Sequence, residues 1–262
     1  MNKIDFRVAL PNLITILGLC LGLNSLKLAF EGNFEKSITF IVLAAILDAL
    51  DGRIARLIKG TSKFGAELDS LTDFVNFGVC PSLIIYFWSL NNLGFYGWII
   101  SLLFVVACCL RLARFNLDAT NQDDRNKWKV NFFSGIPAPA GAGLALMPMI
   151  ISFSDFNYLF KGYINEIVVL IIMLVTSFLM ISKIPTYAFK KIKISKSSFI
   201  LLALSLVLLS GFLFNKTFET LTLVGMIYFF LIPVSFFHFI NLKKIKDKKN
   251  KKGDSLISDE II

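Results

Sequence analysis

The chain has 262 residues, 56% of them hydrophobic and only 17% charged, with a mean hydropathy of +0.71 and a net charge of +9. A soluble domain carries about 45–50% apolar and about 25% charged residues, so the composition excludes an ordinary soluble protein and makes lipid the solvent for most of the chain. The excess of positive charge is explained by membrane topology and needs no nucleic acid as partner.

A membrane span takes about 20 apolar residues. In chain order, the apolar segments that approach or reach this length are 9–30, 36–58, 66–90, 94–115, 135–153, 163–182, 198–214 and 220–241. The N-terminus carries Lys3 and Arg7 and runs into the first segment without a small-residue cleavage site, which reads as no cleavable signal peptide. The second and third segments are joined by a short turn around Lys59 to Lys63. The longest connection is the polar stretch 116–134, with Asp118, Asp123, Asp124, Arg125, Lys127 and Lys129. Pro185 marks a loop and Pro233 a kink. The tail 243–252 carries seven lysines. With the N-terminus in the cytoplasm and alternating spans, all of the 27 Lys and Arg residues except Lys27, Lys36, Lys161 and Lys216 fall inside, the asymmetry expected of an even number of spans. The prediction is an all-α integral membrane protein, a bundle of about eight transmembrane helices. Cys20, Cys80, Cys108 and Cys109 lie in apolar stretches without metal-ligand spacing and read as small buried residues.

The chemistry is concentrated in LDALDGRIARLIKGTSKFGAELDSLTDF. Asp48 and Asp51 are three apart, Asp69 and Asp73 four apart, so each pair shares a helical face. The turn between them should make the two helices antiparallel neighbours with their acids facing. A central membrane Asp costs about 2.5–3.5 kcal/mol, and four together repel. A divalent cation, or two, offsets both effects, and an oxygen-only ligand set suits Mg²⁺ or Mn²⁺ rather than Zn²⁺. Gly52, Ala55, Gly65 and Ala66 admit a close ligand or a close helix. Arg56 lies near the same rim. A metal, an arginine and glycines describe a pyrophosphate site, while the acids alone are also compatible with the ion path of a cation transporter.

The eight residues Asp48, Asp51, Gly52, Ala55, Arg56, Gly65, Asp69 and Asp73 fill every fixed position of D-x2-D-G-x2-A-R-x8-G-x3-D-x3-D. In this the chain resembles the CDP-alcohol phosphatidyltransferases. The resemblance implies transfer of a phosphatidyl group from a CDP-linked lipid to an alcohol with release of CMP. It implies Asp48, Asp51 and Asp69 as metal ligands, with Asp73 sharing in ligation and acting as general base. It assigns Gly52, Ala55, Arg56 and Gly65 to the CDP-lipid. The cofactor is then Mn²⁺ or Mg²⁺, as two ions, and a homodimer is in keeping with the family. The catalytic domain would cover 1–242, with its core about 9–182, and 243–262 would be a basic cytoplasmic tail.

Further segments resemble the serine-using branch: PNLIT with Pro11, Asn12 and Thr15; DFVNFGVCPS with Asn76, Gly78 and Pro81; CLRLARFN with Arg111 and Arg114; and FFSGIPAPAGA with Phe133, Gly135, Pro137 and Pro139. The implied partners are CDP-diacylglycerol and L-serine, in the inner membrane with a cytoplasmic active site. Serine has a carboxylate, and Arg111 or Arg114 could clamp it in a bidentate fork. Either arginine could instead anchor a helix end or bind donor phosphate. Asn76 could accept from the serine ammonium or serve as a packing amide. Other acceptors (glycerol 3-phosphate, inositol phosphate, choline), an ether-lipid donor and a cation transporter remain as alternatives. His238, in the apolar run FFHF, reads as a packed or interfacial residue.

Overall fold

The computed structural model describes residues 6–120, 132–160, 162–187, 204–205, 207–208, 210–213 and 215–259. Lys3, the charged residues of 121–131, Lys161, the basic residues of 188–197 and most of the predicted span 198–214 lie outside the described residues, as do the side chains of Phe133 and of the lysine-rich tail.

Small residues set the first packing. Helix α1 (Phe6–Phe30) buries Pro11, Thr15, Gly18, Gly22, Ser25 and Ala29, a stripe with steps of four and three that holds one helical face against a neighbour. In lipid, such residues bring backbones close where apolar side chains gain little from leaving the tails. The stripe lies along α2 (Phe34–Leu57). A Cβ on Gly18 would meet the Leu47 Cβ at 3.7 Å and the Ala44 carbonyl at 3.8 Å.

The turn after α2 is fixed by its backbone. Gly60 N–H donates to the Ala55 carbonyl (2.9 Å) and Lys59 N–H to the Arg56 carbonyl (3.4 Å), the pairing of a Schellman motif. Lys59 occupies the left-handed position (φ 54°) where glycine is usual. Gly60 passes so close to α1 that a Cβ would collide with the Arg7 carbonyl. Ser62 then caps α3 (Lys63–Phe74), its hydroxyl accepting from Gly65 N–H at 2.9 Å.

A π-helical turn at Val75–Val79 joins α3 to α4 (Cys80–Trp88). The wider turn shifts the helical phase, so the acid-bearing face before it gives way to Phe77, Cys80, Ile84 and Ile85, all core residues. A 3-10 turn at Leu90–Leu93 leads to α5 (Phe95–Thr120). Then come β1 (Phe132–Ser134), α6 (Ala138–Phe153), the short α7 (Asn157–Phe160), α8 (Glu166–Ile181), β2 (Pro185–Tyr187) and α9 (Thr217–Asp259). The strands pair antiparallel, with Phe133 opposite Thr186. This two-stranded ribbon is a small departure from the all-α expectation. The backbone of α9 stays helical past Pro233 and through the lysine-rich segment.

Among the described residues, four helical stretches are long and apolar enough to cross a membrane: Phe6–Phe30, Lys63–Trp88, Phe95–Leu117 and Thr217–Leu242. The expected segment 198–214 falls mostly outside the described residues, and the other three expected segments form helices shorter or less apolar than these four. α2 carries Asp48, Asp51, Arg53 and Arg56 at one end, which shortens its apolar part. α6 and α8 have 16 residues each, about 24 Å of helix against a hydrocarbon core of about 30 Å. Outward faces are apolar, as with Leu13, Leu17 and Leu23 on α1 and Phe229, Phe230 and Phe237 on α9. At the end of the bundle where α9 begins, Lys216 donates to Asp155 at 2.7 Å and holds that carboxyl below its ordinary value.

All four cysteines are free, but only Cys80 and Cys108 are buried. Cys20 sits midway between Gly18 and Gly22 of the packed stripe and so turns outward, and Cys109 is rotated away from its buried neighbour.

Candidate functional site

Five carboxylate and hydroxyl side chains converge from three helices. α2 supplies Asp48 and Asp51, α3 supplies Asp69 and Asp73, and α1 supplies Thr15. One carboxylate oxygen from each of Asp48, Asp51 and Asp69 lies within 4.8 Å of the other two. Asp51 is 3% exposed, and Thr15 Oγ1 donates to its Oδ2 at 2.5 Å. α2 and α3 meet mainly through these acids. Their alignment comes from α1, which packs along α2 and against α3, while α3 also rests on α5. The acids of α2 and α3 face each other as expected, with α1 as the third helix that aligns them.

Asp51 and Asp69 open onto a cavity of about 210 Å³ lined also by Asn12, Thr15, Gly52, Ala55, Arg56 and Gly65. The glycines have separate reasons to be there. A Cβ on Gly52 would meet only the Arg56 guanidinium, at 3.8 Å; no helix packs against it, so the missing side chain leaves open space. A Cβ on Gly65 would stand 2.8 Å from Asn12 Oδ1 and 3.1 Å from Ser62 Oγ, closing the cavity wall.

Asp73 stands outside the group of three, with its carboxyl within hydrogen-bonding reach of Asp48. Its Oδ1 is buried without a hydrogen-bond partner among the described residues. Three clustered carboxylates with only oxygen to offer, beside an orphaned carboxylate oxygen, fit a hard divalent cation.

The remaining predicted residues are placed less uniformly. Asn76 is fully buried one turn beyond Asp73, and its amide lies against Gly22, where a Cβ would collide with it. Arg111 is 7% exposed and its Nε donates to the Ile136 carbonyl at 2.7 Å. Asp73 is among its charged neighbours. Arg114 donates to the carbonyls of Ile181 (2.7 Å), Ser182 (3.1 Å), Met180 (3.2 Å) and Ser134 (3.2 Å). Those are the last carbonyls of α8 and one from β1, so the guanidinium caps a helix end.

Two site residues were missed as participants by sequence reasoning. Thr15 and Asn12 touch the acids and the cavity wall respectively. The available signal was their spacing of three in an otherwise apolar span, which puts two polar side chains on one face.

Comparison with known proteins agrees with this geometry. A family model described as CDP-alcohol phosphatidyltransferase matches residues 8–176, from α1 into α8. A Helicobacter pylori protein named CDP-diacylglycerol–serine O-phosphatidyltransferase is 40% identical over 198 residues, covering 76% of this chain and 80% of that protein. A protein of the same name from Mycobacterium tuberculosis is 46% identical over 135 residues, 51% of this chain and 46% of its own length. A third, from Bacillus subtilis, is 34% identical over 182 residues, 70% of this chain and 92% of its own.

Proposed function

The chain belongs to the CDP-alcohol phosphatidyltransferase family, and we propose that it transfers the phosphatidyl group of CDP-diacylglycerol to the hydroxyl of L-serine, releasing CMP. The observation that carries the chemistry is the Asp48–Asp51–Asp69 cluster opening onto the cavity bounded by Gly52, Ala55 and Gly65. The names of the similar proteins from H. pylori, M. tuberculosis and B. subtilis support serine as the acceptor.

Asp48, Asp51 and Asp69, with Asp73 at the edge, would hold Mn²⁺ or Mg²⁺, as two ions, which would offset the carboxylate charge and supply electrostatic stabilisation for the departing CMP. Gly52, Ala55 and Gly65 make room for the cytidine and phosphates, and Arg56 on the rim pairs with a phosphate oxygen. The acyl chains run from the lipid along an apolar groove of about 410 Å³ between α2 and α6, lined by Ile41, Ala45, Ala49, Leu146 and Ile150, with Arg53 also on its wall.

A serine hydroxyl is a weak nucleophile until a placed base takes its proton in the transition state. Asp73 takes it, with the unpartnered Oδ1 as acceptor. The serine oxygen attacks the phosphorus that carries the diacylglycerol, and the bond from that phosphorus to CMP breaks. Arg111 holds the serine carboxylate, its guanidinium fixed by the bond to Ile136. Arg114 belongs to the framework, because four carbonyls already occupy it, and Asn76 supports the contact of the π turn with α1. The enzyme works from the cytoplasmic side of the inner membrane as a multi-pass protein with both termini inside, and pairs as a homodimer.

Serine labelled with ¹⁸O at its hydroxyl tests whether the serine oxygen is the atom that attacks phosphorus. The label is expected in the phosphodiester of the lipid product and absent from CMP. A covalent phosphatidyl-enzyme is excluded if radiolabelled CMP does not exchange into CDP-diacylglycerol without serine; rapid exchange refutes direct displacement.

A further inference from the structure

Beside Asp73 lies a second polar cluster, assembled from segments far apart in the chain. Arg111 of α5 is its hub. Its Nε is bound to the Ile136 carbonyl at 2.7 Å, and its guanidinium carbon sits 5.7 Å from the centre of the Phe115 ring. Among the described residues its two terminal nitrogens make no hydrogen bond, which leaves a fork of donors with Asp73 nearby.

Tyr228 of α9 belongs to the same cluster. Its ring packs on the small core group of Ile136, Leu144 and Ile232, the group whose Ile136 carbonyl holds Arg111. The Tyr228 hydroxyl lies beside Thr186 and within electrostatic reach of Arg111. Thr186 already donates to the Gly135 carbonyl at 2.7 Å. The Tyr228 oxygen is buried and, although Thr186 stands beside it, makes no hydrogen bond of adequate geometry among the described residues. Its sequence neighbours Phe229 and Phe230 face outward, as a lipid-exposed surface favours, whereas a hydroxyl turned inward and left unbonded destabilises the fold. A buried polar atom left unsatisfied calls for an explanation, and an absent ligand group is one.

We infer that Tyr228 is an acceptor-binding residue: its hydroxyl donates to the carboxylate that Arg111 holds, so that α9 completes the acceptor side of the site. The inference rests on the reading of the acceptor as an amino acid. It extends the site beyond the residues of the signature and beyond the matched segment 8–176.

The test is Tyr228→Phe, with initial rates measured against L-serine and against CDP-diacylglycerol separately, and thermal midpoints in detergent. The KM for serine is expected to rise about tenfold, the loss of one hydrogen bond to a charged group. kcat and the KM for CDP-diacylglycerol should stay within about twofold of wild type. The thermal midpoint should hold or rise, because an unbonded buried hydroxyl has been removed. An unchanged serine KM overturns the assignment, as does an equal rise in both KM values. A wild-type protein whose CMP release does not depend on serine refutes the underlying reading instead, and that result is visible before the variant is compared.

Discussion

Replacing Thr15 by Val keeps the shape of the side chain and removes one hydroxyl. That hydroxyl is the donor to Asp51 Oδ2 at 2.5 Å, and Asp51 is 3% exposed, so water cannot readily take its place. A hydrogen bond to a charged group contributes about 1.5–3 kcal/mol. If this contribution orients Asp51 toward Asp48 and Asp69, its loss should appear in cation binding as a half-saturating Mn²⁺ concentration raised roughly 10- to 150-fold. The assay is CMP release titrated with Mn²⁺ at saturating substrates. Thr15→Val should recover much of its rate at high metal, because the carboxylates themselves remain. Thr15→Ser retains the hydroxyl and should restore near-normal metal dependence. Two results refute the reasoning: an unchanged metal titration in Thr15→Val, or a Thr15→Ser variant as impaired as Thr15→Val. Either would mean that Thr15 serves only the α1–α2 contact.

Other perturbations separate the roles of neighbouring groups. Asp73→Asn should leave CDP-diacylglycerol binding within about threefold of wild type and lower turnover by at least about 10²-fold, the span of general-base catalysis; near-normal turnover removes Asp73 as the base. Arg114→Gln strips four carbonyls of their donor and should destabilise the protein by about 3 kcal/mol, read as a lower thermal midpoint with the serine KM unchanged. Loss of serine affinity at an unchanged midpoint would hand the carboxylate clamp to Arg114. Lys59→Gly relieves a left-handed residue at φ 54° and should stabilise by about 1 kcal/mol, with no effect on kcat; a lower midpoint contradicts the turn geometry.

The acidic signature was legible in the sequence because polar residues stand out in an apolar chain, and spacings of three and four can be read as helical faces. That Asp48, Asp51 and Asp69 come together follows from this, although the helix that aligns them does not. Thr15 reaches Asp51 across 36 residues, and no local pattern encodes that distance. Arg111 and Arg114 looked equivalent, three apart on one face. They are distinguished by partners elsewhere in the chain: Arg114 meets the end of α8, and Arg111 meets Ile136. The ribbon of β1 and β2 pairs three-residue strands separated by α6, α7 and α8, too short for any alternation to register. The π turn at Val75–Val79 alters helical phase without altering composition. The count of spans is only partly legible, since hydropathy marks apolar residues without fixing helix length, and α6 and α8 have 16 residues each.

The most direct test of the central claim is CMP release by the purified protein in detergent, with CDP-diacylglycerol, Mn²⁺ and separate acceptors: L-serine, glycerol 3-phosphate, inositol phosphate and choline. The account predicts metal-dependent release with L-serine alone, accompanied by phosphatidylserine in equal amount. Release with a different acceptor would keep the chemistry of the aspartates and contradict the assignment of serine. No release with any acceptor, from folded protein with metal bound, would contradict the transferase itself.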